Sequence, residues 1–281
     1  MNLTIQKEFQ NNTLKAQIMR ASKQLLRFGW EQALSCLFPV VIFASLAITQ
    51  IIPLPFLPRY DWLLIICLLM QWSMVRFGLE TKDELKVITL FHLIGLALEV
   101  FKVHMGSWSY PEEGYIKILG VPLYSGFMYA SVASYLCQAW RRLKVELVKW
   151  PPFLVVLPLA AAIYLNFFTH HYWIDIRFWL SGLVIIVFWK SWVTYEVNGT
   201  RYRMPIAFSF VLIGFFIWVA ENIATFFGAW EYPNQTDAWS LVHLGKVSSW
   251  LLLVIVSFLI VATLKQVKGE ISSRTDTSQL L

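Results

Sequence analysis

Long apolar stretches alternate along the chain with short polar connections. Eight stretches approach the roughly 20 mostly apolar residues that a helix needs to cross a hydrocarbon core about 30 Å thick. The pattern therefore predicts an all-α fold, a polytopic membrane helix bundle with about eight transmembrane helices. Their approximate bounds are 33–52, 61–77, 86–105, 121–139, 152–169, 172–192, 204–227 and 240–264.

The lysines and arginines indicate how these helices are oriented. If the N-terminus is cytoplasmic, eighteen Lys and Arg residues fall in inner segments, and only Arg59, Lys117 and Arg177 fall in outer loops. Inner loops of membrane proteins carry such an excess of positive charge. The sequence therefore predicts a multi-pass membrane protein with both termini in the cytoplasm.

One motif occurs twice and divides the chain. Residues 99–111 read EVFKVHMGSWSYP and residues 221–233 read ENIATFFGAWEYP, with five identities at a constant offset of 122. An even number of predicted helices separates the copies, so the two halves would run parallel in the membrane. The predicted organisation is a basic cytoplasmic segment, a first four-helix repeat, a second four-helix repeat and a cytoplasmic polar tail, at 1–30, 31–150, 151–267 and 268–281.

Composition excludes several classes of protein. The chain is 58% hydrophobic and 14% charged, with a mean hydropathy of +0.59, which is typical of membrane proteins. The net charge of +6 resides mostly in the connections, so we expect contact with the lipid bilayer and no nucleic-acid partner. The sequence has no phosphate-binding loop, nucleophile elbow or recognisable metal motif, and we expect neither a cofactor nor a metal.

The repeated glutamates are the candidate catalytic residues. A carboxyl group within a span costs about 2.5–3.5 kcal/mol, so it normally faces protein or water and has a function. Burial favours its neutral, proton-donating form, whereas Lys102, one helical turn from Glu99, favours the anion. We therefore expect Glu221 to act as the acid and Glu99 as the anion. The alternative is that both glutamates only stabilise the turn that follows them.

Aromatic and basic residues near the glutamates are the candidate substrate-binding groups. The aromatic rings could line an apolar slot or hold a cation, although an interfacial aromatic belt would also explain them. His243 and Lys246 are three residues apart in the last predicted span, where they would share a face that complements Glu221, or alternatively only pack and snorkel. The full predicted binding set is Trp108, Tyr110, Trp230, Tyr232, Lys102, His243 and Lys246.

The run EVFKVHMGSWSYPEEGYIKILGVPLYSGFMYASVASYLCQAWRRL, with the later ENIATFFGAWEYP, resembles the YoaT-like family of uncharacterised bacterial integral membrane proteins. The resemblance covers most of the chain beyond residue 30 and implies a location in the bacterial cell (inner) membrane. More loosely, Glu99, Gly106, Trp108, Tyr110 and the Gly120-Val121-Pro122 run are similar to a motif of membrane carotenoid hydratases, and the lycopene-cyclase-type proteins place carboxylates and aromatics alike. Those families imply proton chemistry on polyene double bonds without a redox cofactor. Lys102 departs from their pattern.

These observations favour an enzyme that uses cofactor-free acid–base chemistry on an isoprenoid or other lipid-like substrate in an intramembrane cleft. A small-solute or proton-coupled transporter is the main alternative, because Pro39 and Pro158 interrupt spans at nearly matching positions of the two halves. A membrane scaffold or partner subunit is a third hypothesis.

Overall fold

The computed structural model describes the backbone of residues 3–170 and 172–278 and the side chains of residues 15–170 and 172–262. The predicted polar tail from residue 268 and half of the predicted basic segment lie outside the described side chains. The described chain is mostly helical. Its helices are α1 Leu3–Ser35, α2 Leu37–Ile51, α3 Arg59–Arg76, α4 Lys82–His104, α5 Ser125–Arg142, α6 Phe153–Thr169, α7 Arg177–Val187, α8 Ile206–Phe226 and α9 Lys246–Ser278.

Two small antiparallel sheets correct the prediction of an all-α fold. Strands β1 (Lys117–Ile118) and β2 (Val121–Pro122) form a short ribbon after α4. Strands β3 (Glu146–Val148), β4 (Trp192–Val197) and β5 (Thr200–Pro205) form a three-stranded sheet in the order β3-β4-β5. An Asn198-Gly199 turn with both φ angles positive joins β4 to β5, which is the favoured connection of a two-residue hairpin.

The eight predicted transmembrane helices are not supported. Among the described residues, α4 and α8 are long and apolar enough to cross a membrane, and α1 with α2 would make a third crossing despite a bend of 68° between them. The segment predicted to span 172–192 contains only the 11-residue helix α7, which at about 1.5 Å per residue is far shorter than a hydrocarbon core. The structure therefore has two or three candidate spans.

Helices α4 and α5 pack closely because glycine lies at two of their contacts. A Cβ atom built on Gly95 would lie 2.5 Å from the ring of Tyr129, and one built on Gly126 would lie 2.7 Å from the carbonyl oxygen of His92. Real Cβ atoms do not approach so closely, so alanine at either position would force the helices apart. The contact also fixes Tyr129 beside Glu99 on α4.

We expect Gly95→Ala and Gly126→Ala each to lower the free energy of unfolding by about 1–3 kcal/mol, because the added methyl group overpacks the α4–α5 contact. Thermal unfolding of the purified protein in detergent measures the effect. Gly182→Ala on α7 is the matched control, since a Cβ at Gly182 meets nothing within 4 Å. Unfolding midpoints for Gly95→Ala and Gly126→Ala that equal the midpoint of the unmodified protein would contradict this account of the packing.

Candidate functional site

The two copies of the repeated motif lie side by side. The Ser109 N–H donates to the Glu231 carbonyl at 2.9 Å, and the Glu231 N–H donates to the Ser109 carbonyl at 3.0 Å, which forms an isolated antiparallel bridge. Next to the bridge, the rings of Trp108 and Tyr232 meet edge to face with their centroids 5.9 Å apart. The structure thus joins the turn after α4 to the turn after α8.

Both turns begin with the same backbone geometry. Gly106 and Gly228 have φ angles of +66° and +68°, in the left-handed region that glycine adopts without steric cost. After each glycine, an N–H group donates to the carbonyl five residues earlier, which is the Schellman arrangement at the end of a helix. The two bonds are Ser107 to Lys102 at 3.0 Å and Ala229 to Ala224 at 2.9 Å.

Glu99 is enclosed by hydrogen-bond donors. Its Oε2 atom accepts from Trp108 Nε1 and from the Tyr110 hydroxyl, both at 2.7 Å. Its Oε1 atom accepts from the Tyr129 hydroxyl at 2.8 Å, and the residue is only 6% exposed. A carboxylate accepts all three bonds, and because a tyrosine hydroxyl donates or accepts, Oε1 can also carry a proton and donate it to Tyr129, so these contacts accommodate either protonation state. Glu99 therefore orients three aromatic side chains.

Glu221 has a different set of partners. Trp250 Nε1 donates to its Oε2 atom at 2.5 Å, and the Tyr232 hydroxyl hydrogen-bonds to its Oε1 atom. An indole N–H only donates, whereas a tyrosine hydroxyl donates or accepts. The Oε1 atom of Glu221 can therefore carry a proton and donate it to Tyr232, so the Glu221 site accommodates both protonation states.

Two cavities meet at Glu221. The first has a volume of about 100 Å³, and its wall includes Lys102, Trp108, Arg177, Tyr232 and Lys246. The second has a volume of about 90 Å³ and is mostly apolar. The two cavities share Tyr129, Glu221, Trp250 and Leu253, whereas Glu99 lines neither of them.

The two predicted binding lysines lie in the wall of the first cavity. Lys102 extends to the end of α6, where its Nζ atom donates to the Phe167 carbonyl at 3.2 Å and lies 4.1 Å from the centroid of the Phe167 ring. Lys246 Nζ lies 4.8 Å from the centroid of Tyr232 and 5.5 Å from that of Trp108. Lys246 is thus held against the aromatic rings of both motif copies.

Three other predicted binding residues lie outside the first cavity. His243 is exposed in the turn before α9, where its Nδ1 atom accepts from the Gly245 N–H at 3.0 Å. The predicted helical face shared by His243 and Lys246 is therefore wrong, because α9 begins only at Lys246. Trp230 lines the second cavity, and Tyr110 is buried against Glu99.

A polar group between α6 and α9 was not predicted from the sequence. Asn166 Oδ1 accepts from the Ile176 N–H at 3.0 Å and holds the start of α7. Arg177 pairs with Asp175 at 2.5 Å and donates to the Ser249 hydroxyl at 3.1 Å. An asparagine within the apolar run 153–169 was the available signal, because such a residue needs a partner. Tyr129, the third donor to Glu99, was also missed.

The surroundings of His170 and Tyr232 shift the pKa values of these two residues. Burial, with the nearby charge of Lys102, lowers the pKa of His170, so this residue is neutral at pH 7. Burial and the neighbouring Glu221 carboxyl hold the pKa of Tyr232 well above its usual range. The Tyr232 hydroxyl therefore keeps its proton, and the positive charge of the first cavity comes from lysine and arginine.

The fold and the site define a mostly helical protein in which two cavities share a buried glutamate in their walls. The chain belongs to the family described as "Protein of unknown function (DUF817)", whose model matches residues 24–258. It is 84% identical over 261 residues to "Uncharacterized protein YoaT" of Bacillus subtilis (strain 168), which covers 93% of this chain and 99% of that protein. The predicted resemblance to YoaT-like proteins is therefore confirmed. A crystal structure of a cross-linked MvINS trimer is similar over 65% of this chain and 93% of that one, at 13% identity and a TM-score of 0.47.

Proposed function

We propose that the protein binds a lipid-like molecule in the two cavities and carries out cofactor-free acid–base chemistry on it, with Glu221 as the acid. One observation carries the proposal: Glu221 is the repeated carboxyl group that lines both cavities, whereas Glu99 lines neither. A reacting acid must reach its substrate, and a group that only positions others need not. The two glutamates thus have different proposed roles, because only Glu221 is accessible from the cavities.

Exposed apolar side chains support the proposal that this is a multi-pass protein of the bacterial inner membrane. Large side chains on three helices are mostly exposed, a distribution that marks a surface in contact with lipid or protein. The matching turns after α4 and α8 support an internal duplication. The exposed side chains include Leu154 at 86%, Trp179 at 82%, Phe178 at 72%, Ile186 at 72% and Phe216 at 65%.

The proposed reaction begins with proton transfer from the Glu221 carboxyl to one carbon of a substrate double bond. The O–H bond breaks and a C–H bond forms, which leaves a carbocation on the second carbon and a carboxylate on Glu221. Hydrogen bonds from Tyr232 and Trp250 stabilise that carboxylate. The carboxylate then removes a proton from a neighbouring carbon, which moves the double bond and restores the acid.

The second cavity suits the cationic intermediate. Its wall contains the aromatic rings of Phe43, Phe91 and Trp230, whose faces attract a positive charge. Apart from Glu221, its polar lining groups are few, so the walls do not supply a strong nucleophile that would trap the cation. Glu99 contributes by holding Tyr129 at the junction of the two cavities.

A proton-coupled transporter is the second candidate. The observation that favours it is the position of Glu221 between two cavities, where one carboxyl could exchange a proton with either side. Uptake of a polar solute into vesicles that depends on Glu221, with no lipid bound or altered, would replace the enzyme proposal.

Ligand retention tests the binding part of the proposal. We expect a lipid-like molecule to co-purify with the protein in detergent, and Trp230→Ala to lower the retained amount about tenfold because a large ring is lost from the cavity wall. Mass spectrometry of the extracted lipid measures it. Trp179→Ala is the control, since this tryptophan is 82% exposed on α7. Equal retention by the two variants would contradict the assignment of the second cavity.

A further inference from the structure

The first cavity concentrates positive charge from three separate helices. Lys102 comes from the end of α4, Arg177 from the start of α7 and Lys246 from the start of α9. Among the described residues that line this cavity, Glu221 is the one that carries a carboxyl group. A wall with three cations and one acid is unusual for a site that would bind an uncharged hydrocarbon.

The cations of this wall differ in their partners. Arg177 has Asp175 as an ion-pair partner at 2.5 Å. In the part of the chain whose side chains are described, no carboxylate lies within 4.0 Å of Lys246 Nζ, which faces aromatic rings. A cation in a partly buried site is stabilised when an anion binds beside it.

Hydrogen-bond donors accompany the cations on the same wall. The Ser249 hydroxyl already accepts from Arg177, so its own proton is available to another acceptor. Lysine and arginine form the strongest hydrogen bonds in proteins with carboxylate and phosphate groups. The wall of the first cavity thus has the donor chemistry that recognises an oxyanion.

The second cavity has the opposite character and shares its boundary with the first. Its wall is made largely of Phe43, Phe91, Met128, Val132 and Leu253, with serine as the main polar lining besides Glu221. A molecule that occupied both cavities would therefore have one charged end and one apolar end, and Glu221 would lie beside the junction of the two.

We propose that the substrate is an amphipathic anion, whose carboxylate or phosphate head binds Lys102, Arg177 and Lys246 while the first carbons of its hydrocarbon chain occupy the second cavity, whose volume of about 90 Å³ is smaller than a whole chain. This inference rests on the proposed function, because it names the substrate of the same site. It also fixes where the chemistry occurs. Since Glu221 lines both cavities, the reacting double bond lies a few bonds from the head and not at the far end of the chain.

Binding of four probes tests the proposal on the full-length protein in detergent. The probes are hexadecanoate, hexadecyl phosphate, uncharged hexadecanol and inorganic phosphate, measured by competition against a fluorescent fatty acid. We expect one or both anionic chains to bind at least about tenfold more tightly than hexadecanol, and inorganic phosphate to compete weakly. The better of the two anionic chains identifies the head group.

Substitutions at Lys246 test whether the first cavity causes the preference for anionic chains over hexadecanol. Lys246→Met should remove most of the preference for the anionic chain and leave hexadecanol binding unchanged, whereas Lys246→Arg, which keeps the charge, should retain it. Lys86→Met is the matched control, since this lysine is exposed and paired with Asp83 on the surface of α4. Equal affinity for hexadecanol and the anionic chains in the unmodified protein would overturn the inference, even if the variants fail to fold.

The outcome separates this inference from the proposed function. The four probes contain no double bond, so their binding does not depend on turnover. Selective binding of the anionic chains without any detectable chemistry would uphold the ligand class and refute the enzyme. Proton transfer to an uncharged lipid without such selectivity would uphold the enzyme and refute the ligand class.

Discussion

Glu221→Gln is expected to retain its ligand and to lose turnover by about 10²–10⁴-fold, the usual contribution of a general acid. Glutamine has nearly the shape of glutamate, and its amide can still hydrogen-bond to Tyr232 and Trp250. It cannot donate a carboxyl proton. Substrate binding and the chemical step should therefore separate in this variant, with lipid content measured by extraction and turnover by product formation.

Glu113→Gln is the control for this experiment, because Glu113 is exposed in the loop after the first motif and lines neither cavity. It should match the unmodified protein in both ligand retention and turnover. If Glu221→Gln turned over at the rate of Glu113→Gln, Glu221 would not be the acid, and the hypothesis that it only supports the turn would replace the catalytic role.

Glu99→Gln is expected to lower the free energy of unfolding by about 1.5–3 kcal/mol, the usual contribution of one hydrogen bond to a charged group. Three donors converge on the Glu99 carboxyl group, two of them at Oε2 and the Tyr129 hydroxyl at Oε1. A glutamine oxygen in the place of Oε2 still accepts from Trp108 and Tyr110, but the amide nitrogen only donates, so Tyr129 must reverse its hydroxyl or lose the bond. Turnover should also fall, because Tyr129 would no longer be held at the junction of the cavities.

Thermal and denaturant unfolding in detergent measure this effect, with Tyr129→Phe as a second variant. Removal of that single hydroxyl should lower the free energy of unfolding by about 1–3 kcal/mol, since one acceptor atom of Glu99 loses its donor. A Glu99→Gln variant within about 0.5 kcal/mol of the unmodified protein would contradict the structural role assigned to Glu99.

The sequence predicts helices better than it predicts their ends. The apolar run at 204–227 matches α8 closely, whereas the run at 172–192 contains only the short α7, because the polar contacts of Asp175 and Arg177 precede it. A hydropathy window averages over such breaks. The β4–β5 hairpin did have a local signal in the Asn198-Gly199 turn between alternating residues, but a membrane interpretation assigned it to a loop.

Some residues of the candidate site were predicted from the sequence, and others were not. The structure brings together Trp108, Tyr232 and Lys246, and repetition of the motif had singled out the two aromatic residues of this group. Contacts across the chain were not accessible from the sequence. Tyr129 lies 30 residues from the Glu99 that it binds, and nothing in its own segment marks it as a partner. His243 was misplaced because the start of α9 was set too early.

Deuterium uptake tests the central claim most directly. The purified protein, incubated in D₂O with its co-purified lipid or with an unsaturated amphipathic anion, should transfer deuterium to carbon, because Glu221 exchanges its carboxyl proton with solvent between turnovers. The account predicts a stable increase in the mass of the lipid with the unmodified protein and with Glu113→Gln, and no increase with Glu221→Gln. A lipid mass that stays constant with the unmodified protein, while a polar solute crosses vesicles in a Glu221-dependent manner, would contradict the account.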